Sequence, residues 1–202
     1  MPLLGYPKLT EILIGYTHPL SISLAVRVGS QVFGNSQEDS DTDFVVINRN
    51  AQKSDLLFGA DYNVTIFSTE HFKKMLHEQS IFAFEILHTP PTHRLYEAGH
   101  PIFSNPDPKR LSQAVQVKAQ ADWNKGLKII AHDQTKGQKK LWHSLRLLIF
   151  ARQLITSGLI HDFTEANELF WELITHPSRE AQDYSQWLLP IRNELHSALK
   201  LS

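Results

Sequence analysis

Arg27-Val-Gly-Ser-Gln-Val-Phe-Gly-Asn-Ser-Gln-Glu-Asp-Ser-Asp-Thr-Asp-Phe-Val-Val-Ile47 is the stretch on which the reading of this chain turns. An apolar run, Leu24 to Val28, ends in Gly29-Ser30, and a loop rich in turn formers follows. Asp41 and Asp43 then stand two apart at the start of a second apolar run, Phe44 to Ile47. Side chains at i and i+2 of a strand point the same way, so the two carboxylates aim at one point. That pair suits a hard divalent cation such as Mg²⁺, which takes oxygen ligands and keeps waters and phosphates around it. Gly29 lets backbone approach a phosphate, and the Ser30 hydroxyl and nearby amides can hydrogen-bond its oxygens.

Outward from this stretch, composition sets bounds. A chain of 202 residues, 42% hydrophobic and 20% charged, makes one medium domain or a small pair. No apolar run approaches the roughly 18 residues of a membrane span. The start, Met1 to Pro7, lacks the charged head and apolar core of a secretory signal. With no cysteine there is no disulfide and no thiolate site, which suits a cytoplasmic protein. The net charge of −1 conceals a band: residues 106–152 hold ten Lys and Arg against three acids, between acidic flanks. Such a band serves as a polyphosphate or nucleic-acid surface, or simply as solvated helix faces.

Taken in order, Pro7 to Tyr16 reads as a short helix and Ser21 to Val28 as the first strand. Phe44 to Ile47 is a buried strand, Asn48 to Ser54 a loop, and Asp61 to Phe67 a third strand. A helix begins near Ser68-Thr69-Glu70 and another covers Ile81 to Leu87. His93 to Glu97 is a small strand or a loop. Gly99 to Pro108 is the internal boundary, dividing residues 1–105 from 106–202. Beyond it, helices are expected near 109–131, 137–157, 164–175 and 178–200. Gly137 and Gly158 punctuate them, Asp162 to Glu165 caps the third, and Pro190 kinks or splits the last.

Gly29-Ser30, ten residues, then Asp41-x-Asp43 resembles the signature of the polymerase-beta-like nucleotidyltransferase superfamily. The forms Gly-Ser-x-x-x-Gly and Ser-Asp-x-Asp are most similar to its minimal and RNA-repair-associated branches. Val64 to Ser68, then Phe72, Leu76 and Phe84 to Leu87, resemble the same branch more loosely, as does Lys139 to Leu148. The resemblance implies an α+β fold: a small mixed-sheet nucleotidyltransferase domain, then a C-terminal helical bundle. It implies transfer of a nucleoside monophosphate from a triphosphate, ATP favoured, to an acceptor hydroxyl. Mg²⁺ or Mn²⁺ would be the cofactor. An RNA end is the favoured acceptor, with a protein or small molecule open, and no membrane is involved.

Two-metal chemistry of that kind needs about three carboxylates. Asp41 and Asp43 supply two, and Asp61 is the acidic candidate for the third, as ligand or base. The departure is Asn63, which stands where related sequences carry an aspartate. In a strand Asp61 and Asn63 share a face, about 7 Å apart, and the sequence leaves open which of them meets the metals. Asn63 motivates the alternative: a degenerate member that binds nucleotide or RNA without transfer, as a sensor or interaction module.

At 100° per residue Lys139, His143 and Arg146 fall within about a 60° arc, a stripe suited to β- and γ-phosphates. A pairing of His143 and Arg146 with acids is the competing reading. Glu85, inside an apolar run, reads first as a solvated face and second as a salt-bridge partner. Arg192 and His196 read as structural, and Trp123, Trp142, Phe163, Phe170, Trp171, Tyr184 and Trp187 as core. The remaining histidines show no metal-ligand grouping, and no nucleophile elbow surrounds Ser30.

Overall fold

The computed structural model describes residues 21–38, 40–59, 61–98, 104–176 and 180–200. The expected helix at Pro7 to Tyr16 lies outside the described residues. The fold is α+β, with a five-stranded mixed sheet and a set of C-terminal helices. Two compact units are resolved by their internal contacts, one taking residues to 77 and 82–104, the other 78–81 and 105 onward.

In the first unit the strands are β1 (Ile22–Val28), β2 (Thr42–Asn48), β3 (Asp55–Phe58), β4 (Tyr62–Ser68) and β5 (Arg94–Glu97). Their order across the sheet is β3-β4-β2-β1-β5. β2 is central, antiparallel to β1 and parallel to β4. It is covered on both faces: Phe44, Val45, Val46 and Ile47 are all buried. That explains an unbroken apolar run where a half-solvated strand would alternate. One sheet face carries the cluster Ile22, Ala25, Phe44, Val46, Val64, Ile66 and Leu95.

β3 was not expected. It has four residues, pairs antiparallel with β4 at the sheet edge, and leaves Leu56 and Phe58 exposed. So short an edge strand lacks the two-sided apolar pattern that marks β2. α1 (Ser30–Phe33) is a single turn after β1, while α2 (Thr69–His77) and α3 (Ile81–His88) follow β4. Phe72, Leu76, Ile81, Ala83, Phe84 and Ile86 form their buried side. Glu85 is buried as well, so the solvated-face reading of that residue is corrected.

The second unit holds α4 (Pro108–Ile130), α5 (Gln134–Ser157), α6 (Asn167–Thr175) and α7 (Ala181–Lys200). Asp107 caps α4 by accepting from the Arg110 amide at 3.0 Å, with Pro108 at the first helical position. Asp133 caps α5 by accepting from the Lys136 amide, so α5 begins before Gly137 rather than at it. Gly137 serves the helix pair instead: a Cβ there would lie 2.8 Å from the Ile130 backbone. Gly158 does end α5, in the left-handed conformation.

Asp162 accepts from the Thr164 amide and hydroxyl in a turn, and α6 begins only at Asn167, without a side-chain cap. α7 is continuous through Pro190, so the proline does not split it. Buried Tyr184 and Leu188 before the proline, with Leu195 and Leu199 after it, hold both halves to one helical stripe. Most of the expected core aromatics are buried, but Trp171 is 45% exposed.

Candidate functional site

The Gly29-Ser30 turn is built by geometry available only to glycine. Gly29 has φ +78°, and its carbonyl accepts from the Val32 and Phe33 amides at 2.9 and 3.1 Å. Val32 and Phe33 are buried and pin α1 to the sheet, and Gly34 at φ 74° releases the chain again. A Cβ on Gly29 would stand 2.7 Å from Asp43 Oδ2. The turn therefore lies directly against the Asp43 carboxylate, which joins the two halves of the motif in space.

Asp43 lies opposite Val28 on β1 and beside Asn63 on β4. Asn63 Nδ2 donates to Asp43 Oδ1 at 3.0 Å and, more distantly, to Asp41 Oδ2 at 3.4 Å. One amide thus reaches both carboxylates, which places them on a common side. Asp61 lies before β4 and is exposed, and its carbonyl accepts from the Thr42 amide at 3.0 Å. The parallel β2–β4 register sets Asn63, not Asp61, next to Asp43. Among the described residues no three His, Cys, Asp or Glu side chains converge as a metal cluster.

The donor set at this point is two carboxylates and a neutral amide. That fits one hard divalent cation, with waters or phosphate oxygens completing its shell. The Asn63 side-chain oxygen can join as a neutral ligand if the amide turns over. The set is one carboxylate short of what two cations require.

The cationic stripe belongs to α5 in the other unit. Lys139 is exposed. Arg146 is 2% exposed, its guanidinium 5.2 Å from the Trp142 ring centre and 5.1 Å from that of Phe150. His143 is half-buried, and its Nδ1 lies 2.9 Å from Asp122 Oδ2 on α4. Asp122 also pairs with Lys118 at 3.0 Å and Lys140 at 3.4 Å. Burial alone would raise the Asp122 carboxyl, but hydrogen bonds from His143 and Lys118 outweigh it and hold the group well below the usual carboxylate range.

Asp122, Lys118 and Lys140 were not singled out from sequence, although a signal existed. Leu111, Val115, Ala119, Asp122 and Gly126 follow one helical stripe, so Asp122 interrupts an apolar face. An acid in that position requires a partner. Arg192 is structural as expected: it lies 4.9 Å over the Trp123 ring and donates to Gln120.

No family model matches the chain, and no curated protein does. Among solved structures it is similar to a nucleotidyltransferase-like protein from Exiguobacterium sibiricum 255-15. The identity is 12% and the TM-score 0.38, over 93% of this chain and 73% of that one. A likeness at that level carries no weight for function, and the geometry above has to stand by itself.

Proposed function

We propose that this chain is a metal-dependent nucleotidyltransferase. It would bind a nucleoside triphosphate, ATP favoured, and pass the nucleoside monophosphate to an acceptor hydroxyl, an RNA end favoured over a protein or small molecule. The observation that supports this is the Asp43 carboxylate lying against the Gly29-Ser30 turn, with Asp41 brought to the same side through the Asn63 amide. A bound Mg²⁺ or Mn²⁺ would supply Lewis-acid polarisation of a phosphate oxygen. Asp41 and Asp43 would hold it, Asn63 would orient both carboxylates, and Gly29 and Ser30 would meet phosphate. On the helical unit, taken by itself, Lys139 and His143 are proposed for phosphate, whereas Arg146, 2% exposed between the Trp142 and Phe150 rings, reaches no open surface and the phosphate role expected of it is corrected to a structural one. Asp61 enters as the remaining candidate acid, to be tested by Asp61→Asn.

A second reading is favoured by Asn63 alone. An amide is neither an anionic ligand nor a base, so the site can hold a cation and nucleotide without completing transfer. One experiment separates the two. The protein is incubated with α-labelled triphosphates, Mg²⁺ or Mn²⁺, and hydroxyl-ended RNA or protein acceptors. Transfer predicts labelled product that disappears in Asp41→Asn/Asp43→Asn. Nucleotide binding with no incorporation into any acceptor moves the assignment to the second reading. Incorporation that survives the double substitution overturns the site itself.

A further inference from the structure

Asp122 has a 4% exposed side chain, whereas its partners Lys118, Lys140 and His143 have side chains 56%, 34% and 30% exposed. The carboxylate is interior and the cations it gathers reach the surface. One negative charge faces two ammonium groups and an imidazole, so the cluster keeps a net positive charge at neutral pH. The two lysines and the histidine come from two helices, and a single buried acceptor fixes their spacing. Lys139, exposed one turn before His143, adds a further cation on the same face of α5. With Nδ1 directed to Asp122, the His143 ring presents Nε2 on its opposite edge, and in the imidazolium form that nitrogen carries the proton that donates to a phosphate oxygen.

Mobile lysines on an open helix face bind anions weakly, because each anion must pay to order them. Here that ordering is already done by Asp122, an arrangement that suits the several acceptor oxygens of phosphate groups. We infer that Lys118, Lys140 and His143 form a phosphate-binding site of the helical unit, with Asp122 as its positioning residue, and that it takes a polyphosphate chain. This deepens the assignment of His143 to phosphate in the proposed function and rests on that part of it, while it does not depend on transfer by Asp41 and Asp43. A nucleotide tail and an RNA backbone offer the same oxyanion chemistry, and the test has an arm for each.

The full chain is titrated calorimetrically with inorganic tripolyphosphate in EDTA, where no cation can bridge it to Asp41 and Asp43. A hydroxyl-ended RNA oligonucleotide is titrated in parallel. Tripolyphosphate is expected to bind, and Lys140→Gln and His143→Gln each to weaken it about tenfold, the worth of one charge-assisted hydrogen bond. Asp122→Asn separates positioning from mere charge. Removing a negative charge would tighten anion binding by Coulomb's law alone, whereas loss of positioning weakens it. The same variant should alter the ¹⁵N imidazole signals of His143, assigned by comparison with His143→Gln. Tripolyphosphate binding that is unchanged or tighter in Asp122→Asn overturns the positioning role. If Asp122→Asn fails to fold, unchanged affinity in both Lys140→Gln and His143→Gln overturns the site. Binding of the oligonucleotide with tripolyphosphate inert overturns the polyphosphate assignment.

Discussion

The protein contains two carboxylate centres that solve the same electrostatic problem in opposite ways. At the end of β2, Asp41 and Asp43 are bridged by the neutral amide of Asn63, and the pair remains net negative. In the helical unit, Asp122 receives two lysines and a histidine from the chain itself. At the first centre the side-chain partner that both carboxylates share is a neutral amide, which is why a divalent cation is proposed there. The second is balanced internally and leaves positive charge to spare. A carboxylate therefore marks a cation site or an anion site depending on what the fold places around it.

The largest effect that would sharpen this contrast is expected at the first centre. Asp41→Asn/Asp43→Asn should reduce Mg²⁺-dependent nucleotide affinity by more than the roughly 100-fold that groups merely orienting metal ligands cost. Titration with a labelled triphosphate, with and without Mg²⁺, measures it. A loss equal in EDTA and in Mg²⁺ would break the comparison.

At the second centre, Asp122→Asn should cost roughly 2–3 kcal/mol in urea unfolding, somewhat under the penalty of breaking a fully buried pair because its cations reach water. Asp122 titrates well below its unfolded value. Its contribution is therefore present above about pH 4, where the unfolded carboxyl ionises, and fades as pH falls toward the folded value. The stability gap between wild type and Asp122→Asn should be full at pH 7 and close in acid. A gap independent of pH down to acid unfolding would exclude an ionic role.

Gly29→Ala should cost about 1–2 kcal/mol from backbone strain at φ +78°. It should also displace Asp43, whose Oδ2 occupies the space of the new methyl. The expected signature is weakened Mg²⁺-nucleotide binding beyond the stability loss, seen by comparing thermal melts with titrations. The smallest effect is expected for Asn63→Asp, which replaces a donating amide with a third negative charge. It should lower stability by about 1 kcal/mol in EDTA, the order of a lost hydrogen bond, and recover with added Mg²⁺. Recovery would show that the site accepts a third anionic ligand, and its absence that Asn63 serves only as a donor.

Much of this was legible along the chain. The central strand announced itself because burial on both faces leaves an unbroken apolar run at Phe44 to Ile47. The long helices α4 and α5 carry enough turns for their pattern to mark them, whereas the caps at Asp107 and Asp133 emerged only in the structure. β3 was hidden because four edge residues, half exposed, produce no pattern. Pro190 does not split α7, because buried residues on both sides of it hold the helix in place, a tertiary term that local cost does not contain. Arg146 shared an arc with Lys139 and His143 in sequence, yet the structure buries it against Trp142 and Phe150.

Local order by itself determined the motif: glycine and serine after one strand, two aspartates two apart at the start of the next. Those features follow from backbone freedom and the two-residue period of a strand, which need no distant partner. Register and burial were decided only in three dimensions. The parallel pairing of β2 with β4 chose Asn63 over Asp61 as the neighbour of Asp43, because a strand's start fixes every later partner. The packing of α4 on α5 chose Asp122 as the anchor of His143, because contacts between helices depend on which faces meet.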